Sequence, residues 1–145
     1  MSIIYTQFTM DFYDDVVDLW KKSEGIGLSG ADSREAIEKY LERNPGMSLV
    51  ARDLDNVVGS ILCGHDGRRG YIHHLAVSPE YRRQGIGRKM VENSIAVLHD
   101  WGIQKCHIFI FNDNQGAIAF WERIGWNYRK DVSLISKVIE DSQNR

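Results

Sequence analysis

Leu75-Ala76-Val77-Ser78-Pro79-Glu80-Tyr81-Arg82-Arg83-Gln84-Gly85-Ile86-Gly87-Arg88 is the stretch that decides how this chain is read. Its first three residues end a strand-like run that begins at Tyr71, and Ser78-Pro79 marks a turn. From Gly85 to about Asp100 the pattern becomes helical, with Ile86, Met90, Val97 and Trp101 among the core-facing candidates. A strand that passes through a glycine-containing turn into a helix leaves several amides unpaired, all aimed one way at the positive end of the helix dipole. That arrangement suits an anion. Gly85 and Gly87 let the backbone approach a phosphate closely, and Arg82, Arg83 and Arg88 add charge-assisted donors. A dinucleotide fingerprint would need glycine where Met90 stands, and a P-loop would need Lys-Ser/Thr where Arg88-Lys89 stand, so neither fits. The plainer alternative is a helix start with solvated arginines.

Working outward, Ser2 to Phe8 reads as a first strand and Asp11 to Lys22 as an amphipathic helix with Phe12, Val16, Leu19 and Trp20 on one face. Asp11, Asp14 and Asp15 lie near its N-terminal end, where the helix dipole favours them. A second helix starts near Ser33, carries Ile37, Tyr40 and Leu41, and stops before Asn44-Pro45-Gly46. Ser48 to Arg52, Val57 to Gly64 and Tyr71 to Val77 are then three strands joined by short polar turns, which predicts an antiparallel meander. Beyond the central helix come a strand from Lys105 to Phe111, a helix from Asn114 to Ile124, and one or two strands from Trp126 to Val138. Asn114 suits an N-cap and Gly125 a C-terminal stop. The order predicts an α/β (α+β) domain spanning residues 1–145, whose mixed, mostly antiparallel sheet of six to seven strands is flanked by four helices.

With 145 residues and 43% hydrophobic residues, the chain has the size and composition of one globular domain. A net charge of -2 gives no general attraction to nucleic acid or anionic membrane, so an anion site must be local. Between Arg68 and Lys89 six basic residues face one acid, Glu80, which marks such a concentration. Cys63 and Cys106 lie in apolar runs without metal or redox spacing and read as buried thiols of a reducing compartment. Met1 to Phe12 lacks the pattern of a targeting segment, and a cytoplasmic, non-membrane protein is expected. A metal site is the other reading of His73, His74, Cys106 and His107, but adjacent strand residues point to opposite faces, so at most one of each pair could face a common ion and no metal is expected.

Val77 to Gly87 resembles the central motif of the GNAT superfamily of N-acetyltransferases, Arg/Gln-x-x-Gly-x-Gly/Ala after a strand. Asn114-x-x-Ala117-x-x-x-Trp121-Glu122-x-x-Gly125-Trp126 is similar to that family's second signature. Asp66-Gly67-Arg68-Arg69-Gly70 looks like a stretch found in the bacterial YpeA-like subgroup. The resemblance covers almost the whole chain. It implies acetyl-CoA as cosubstrate, an amine as acceptor, and a splayed central strand pair with the pantetheine arm in the wedge. It assigns cofactor contacts to Leu75, Ala76, Val77, Arg82, Arg83, Gln84, Gly85, Ile86, Gly87 and Arg88, and to Asn114, Ala117, Phe120 and Trp121. Homodimers are common in the family, and the sheet edge near the C-terminus is where one is expected.

An alkyl ammonium with a pKa of about 10.4 must lose a proton before it attacks a thioester. Strand alternation puts Tyr71, His73, Leu75 and Val77 on one face, so His73 is a candidate base and Tyr71 its neighbour. The Leu75 amide is the candidate oxyanion donor. Trp121 stands where many members carry a tyrosine acid, and an indole cannot release a proton. Tyr128 or water is the candidate replacement. Because a thiol has a pKa near 8.5, its departure as thiolate costs only about 2 kcal/mol at neutral pH. The alternative is a non-catalytic acyl-CoA-binding module.

Overall fold

A computed structural model describes residues 2–140. The chain runs β1 (Ile3–Gln7), α1 (Tyr13–Lys21), α2 (Arg34–Arg43), β2 (Leu49–Asp53), β3 (Asn56–His65), β4 (Gly70–Val77), α3 (Ile86–Asp100), β5 (Cys106–Ile108) and α4 (Gln115–Arg123), with short 3-10 turns at Met10–Phe12, Gly30–Asp32 and Pro79–Tyr81. The strands form one sheet in the order β1-β2-β3-β4-β5. Neighbours are antiparallel except β4 and β5, which are parallel and joined by the α3 crossover. The expected mixed sheet, its meander and the four helices are therefore present.

Two apolar layers sandwich the sheet. On one face Phe8, Val16, Trp20, Ile37, Val50, Leu62 and Ala76 pack under α1 and α2. On the other, Ile61, Cys63, Ile72, Ile86, Met90, Leu98 and Trp121 pack under α3 and α4. Two polar contacts cross these layers: Trp20 Nε1 donates to Ser60 Oγ at 3.1 Å, and Ser94 Oγ donates to the Met47 carbonyl at 2.8 Å. Both cysteines are free, and burial pushes the Cys63 and Cys106 thiols up to about 12.

The register of β4 corrects the simple alternation. Leu62 pairs with His73 and Ser60 with Ala76, so β4 spends three residues where β3 spends two. The extra residue makes a bulge at His74, whose φ of 50° lies in the left-handed region. For a residue with a Cβ that conformation costs about 1–2 kcal/mol. Sidedness flips across it: Ile72 belongs to the α3 layer and Ala76 to the α1 layer, although they are four residues apart. Tyr71 and His73 thus share the α2 face with their cross-strand partners Gly64 and Leu62, while Leu75 and Val77 pack against the α3 layer.

Two further expectations fail at the C-terminal end. The β4/β5 ladder stops at Ile72 and Ile108, so the strand expected over Lys105 to Phe111 is three residues long. The strands expected from Trp126 to Val138 do not form, and the described sheet has five strands, not six or seven. Residues 127–140 are exposed and irregular. A strand needs a partner ladder, which the short β5 barely offers, and a bend at Asp131 is held by a two-pronged Arg129 bridge at 2.8 and 2.9 Å.

Candidate active site

Two open rows of backbone amides meet at the C-terminal end of β4. The first belongs to the turn into α3. Residues 79–81 form a 3-10 turn pinned by Tyr81 OH, which donates to Asp53 Oδ2 at 2.6 Å. Arg82 Nε donates to the Val77 carbonyl at 3.0 Å and folds the chain back on the strand. Arg83 has φ of 63° and Gly85 of 82°, two left-handed residues that swing the chain into the helix. Gly85 is the N-cap of α3 and offers no side-chain cap. Its carbonyl accepts the first helical bond, from the Lys89 amide at 3.0 Å, so the amides of Ile86, Gly87 and Arg88 precede the helical ladder. Ile86 is buried, Gly87 half-buried, and Arg82, Arg83, Gln84, Gly85 and Arg88 are exposed around them. Arg88 is bridged to Glu92 at 3.1 Å on the helix surface.

The second row is the free edge of β4. Ser78 N donates to the Val58 carbonyl on β3 at 2.8 Å, so by strand alternation Ala76 also bonds toward β3. Leu75 and Val77 then face the other way, and the Arg82 bond to the Val77 carbonyl on that side agrees. Beyond Ile72 no described strand covers this side, because β5 has ended while β4 continues to Val77. The two strands therefore leave a wedge into which Leu75 and Val77 turn their amides, whereas Ala76 does not.

The far wall of the wedge is α4. Asn114 caps it, its Oδ1 accepting from Ala117 N at 3.1 Å. Phe120 reaches toward the turn that opens α3: a Cβ added at Gly87 would sit 3.4 Å from Phe120 Cζ. Trp121 is turned inward, 5% exposed, with its ring centroid 4.5 Å from that of Trp126.

His73 is flanked by Tyr40 at 6.3 Å and Phe109 at 6.4 Å between ring centroids, and Tyr71 stacks on the same Phe109 at 6.0 Å. Burial lowers the His73 pKa, with His74 beside it adding to the effect and Asp32 opposing it. Tyr128 lies past α4. It is exposed beside Lys130 and, with Tyr71, Trp121 and Leu134, lines an open cavity of about 970 Å³ between β5, α4 and residues 126–134. The local charge concentration expected from Arg68 to Lys89 is split: Arg68 and Arg69 sit in the β3–β4 hairpin, about 23 Å along the strand from the arginines of the turn.

The residues 12–126 match the model of the acetyltransferase (GNAT) family. The chain belongs to that family. As a GNAT protein it is an acyltransferase. It is 31% identical over 137 residues to acetyltransferase SG1711 of Sodalis glossinidius, covering 94% of this chain and 96% of that protein. Acetyltransferase ECA0875 of Pectobacterium atrosepticum is 29% identical over 136 residues, with 94% and 96% covered. The fold is similar to that of PaiA N-acetyltransferase from Thermoplasma acidophilum in complex with coenzyme A, with a TM-score of 0.78 at 18% identity over 89% of this chain and 92% of that one. The reading as a non-catalytic module gains no support from these relatives. Among the described residues no three His, Cys, Asp or Glu side chains gather to hold a metal, and no helix is long and apolar enough to cross a membrane.

Sequence reasoning missed three groups here. Asp32 and His74 form a half-buried pair 42 positions apart. Gly25, in the α1–α2 loop, lies against Asn114, so a Cβ there would fall 2.1 Å from Asn114 Nδ2. Tyr40 supplies the ring beside His73. None of these contacts leaves a spacing pattern in the chain.

Proposed function

We propose that this GNAT acyltransferase moves the acetyl group of acetyl-CoA to a primary amine of a small molecule or protein, by direct attack within a ternary complex. The observation that carries the reading is the continuity of the two amide rows, from the uncapped start of α3 to Leu75 on the open edge of β4. The amides of Ile86, Gly87 and Arg88, with Arg82 and Arg83 beside them, suit a pyrophosphate. Gln84, Gly85 and Ile86 complete that turn, and Asn114, Ala117, Phe120 and Trp121 form the helix on the opposite side. The Val77 and Leu75 groups suit the amide-bearing pantetheine arm and then the thioester oxygen.

In the proposed reaction the amine lone pair forms a bond to the thioester carbon, and the negative charge gathers on oxygen beside the Leu75 amide. As the carbonyl re-forms, the C–S bond breaks. Before the attack the acceptor's ammonium gives one proton to His73, directly or through water; after it the nitrogen, again positive, loses its second proton to solvent, and the released thiolate is protonated by solvent. The lowered pKa leaves His73 neutral and ready to accept at neutral pH. Tyr71 stands beside His73 at the base position of the strand, and Tyr128 is the alternative to solvent as donor toward the leaving sulfur. Trp121 supplies no proton.

The YpeA-like subgroup, a cytoplasmic location, the single domain over residues 1–145 and a homodimer through the bare β5 edge belong to the same proposal. For the subgroup the support is the hairpin motif itself, in which Asp66 Oδ1 accepts from both Arg68 N and Arg69 N at 2.8 Å. The test is turnover: incubate the pure protein with acetyl-CoA and a panel of amines and follow free thiol. Thiol release that depends on the amine supports the reading, and tight acetyl-CoA binding without release from any amine overturns it.

A further inference from the structure

We infer that Asp32 and His74 are positioning residues for acyl transfer: together they hold the β4 bulge in the register that turns the Leu75 amide into the wedge. The inference rests on the acetyl-transfer reading and deepens it. His74 Nε2 and Asp32 Oδ1 are 2.8 Å apart, with side chains only 18% and 10% exposed. The edge of Trp20 meets the imidazole at 4.9 Å between centroids, and Trp20 is itself tied to Ser60, the residue opposite Ala76 just past the bulge. Asp32 is equally constrained. Its second oxygen accepts from Ser29 N at 3.0 Å in a reciprocal cap, and its carbonyl accepts from Tyr13 OH at 2.6 Å. A left-handed residue other than glycine persists where its surroundings over-determine it, and here the ring is gripped from two sides.

Without the bulge, strict alternation would carry the wrong backbone groups to the open edge: one residue of slip exchanges the two sides of a strand. The pair acts one residue away from Leu75, and its hydrogen bonds and ring contact go to Ser29, Tyr13 and Trp20, not to residues 82–88. Its loss should therefore spare cofactor affinity and reduce the chemical step.

The test uses Asp32→Asn, which keeps the shape and removes the charge, and His74→Gly, which keeps the left-handed backbone and removes the ring. His74→Asn is the rescue variant, because asparagine tolerates the left-handed region and retains an N–H for Asp32. Each is measured for kcat and KM with acetyl-CoA, and by amide NMR of Leu75 and Gly87 during acetyl-CoA titration. The expected result is a tenfold or greater fall in kcat for Asp32→Asn and His74→Gly, KM within threefold, and a Leu75 response that shrinks while that of Gly87 is kept. His74→Asn recovers much of both. The double variant Asp32→Asn with His74→Gly is no slower than His74→Gly alone. For Asp32→Asn or His74→Gly, a kcat within twofold of wild type, an unchanged Leu75 response, or a fall explained wholly by lost folded protein would each overturn the inference; should His74→Gly not fold, Asp32→Asn carries the same readouts. If wild-type Gly87 itself ignores acetyl-CoA, the acetyl-transfer reading fails and this inference falls with it.

Discussion

Gly87→Glu separates the proposed anion site from the fold it sits on. A Cβ at Gly87 would lie 3.4 Å from Phe120 Cζ and 3.6 Å from Val77 Cγ2, which is ordinary contact, so a side chain can start there without displacing the core. A carboxylate in the first turn of a helix interacts favourably with the dipole, by about 0.3–1 kcal/mol, so the free protein should be no less stable. The bound state is different. A carboxylate about 4 Å from one phosphate charge is repelled by about 4 kcal/mol at an effective dielectric of about 20, which corresponds to roughly a thousandfold in affinity. Calorimetry with coenzyme A reads the affinity, and a thermal melt of the free protein reads the fold. The expected result is binding weakened by two to three orders of magnitude with an equal or slightly higher Tm. Affinity within threefold of wild type, with the fold intact, would refute the assignment of the turn to a diphosphate.

Three other outcomes follow from the geometry. Gly85→Ala meets no atom within 4 Å, so its cost is the left-handed backbone alone, about 1–2 kcal/mol in urea denaturation. Gly25→Ala combines a φ of 79° with a clash against Asn114, and should cost about 2 kcal/mol while disturbing the α4 cap; a stability unchanged within error would show that the loop moves aside freely. His73→Ala should lower turnover while leaving coenzyme A affinity alone. Because the folded pKa of His73 is depressed, the neutral base is present above that value and lost as pH falls through it. The wild-type kcat/KM profile should thus show an acid limb centred below about 6.5 that His73→Ala abolishes.

Much of this architecture was legible because local chemistry marked it. Asn114 and Gly125 bracket α4, Gly85 opens α3, and Asp66-Gly67 turns β3 into β4, each by a preference that acts within a few residues. The turn into α3 was legible for the same reason, since its amides belong to consecutive residues. What escaped depends on distant partners. The bulge at His74 breaks a period of two that the sequence of β4 does not itself interrupt, so His73 and Leu75 were expected on one face and stand on opposite ones. The alternation after Trp126 has the look of a strand, yet alternation says nothing about whether a neighbour is long enough to pair with it. Arg68 and Arg69 were counted with the arginines of the turn by nearness in the chain, although the extended strand between them holds the two groups apart.

The chemistry of the two free thiols has a practical side. With both held near 12, about one in ten thousand of the protein's own sulfurs is ionised at pH 8, so disulfide reagents should find it almost inert. A colorimetric signal that grows during turnover then reports the sulfhydryl of the released nucleotide, with the enzyme contributing next to no background even at stoichiometric concentrations.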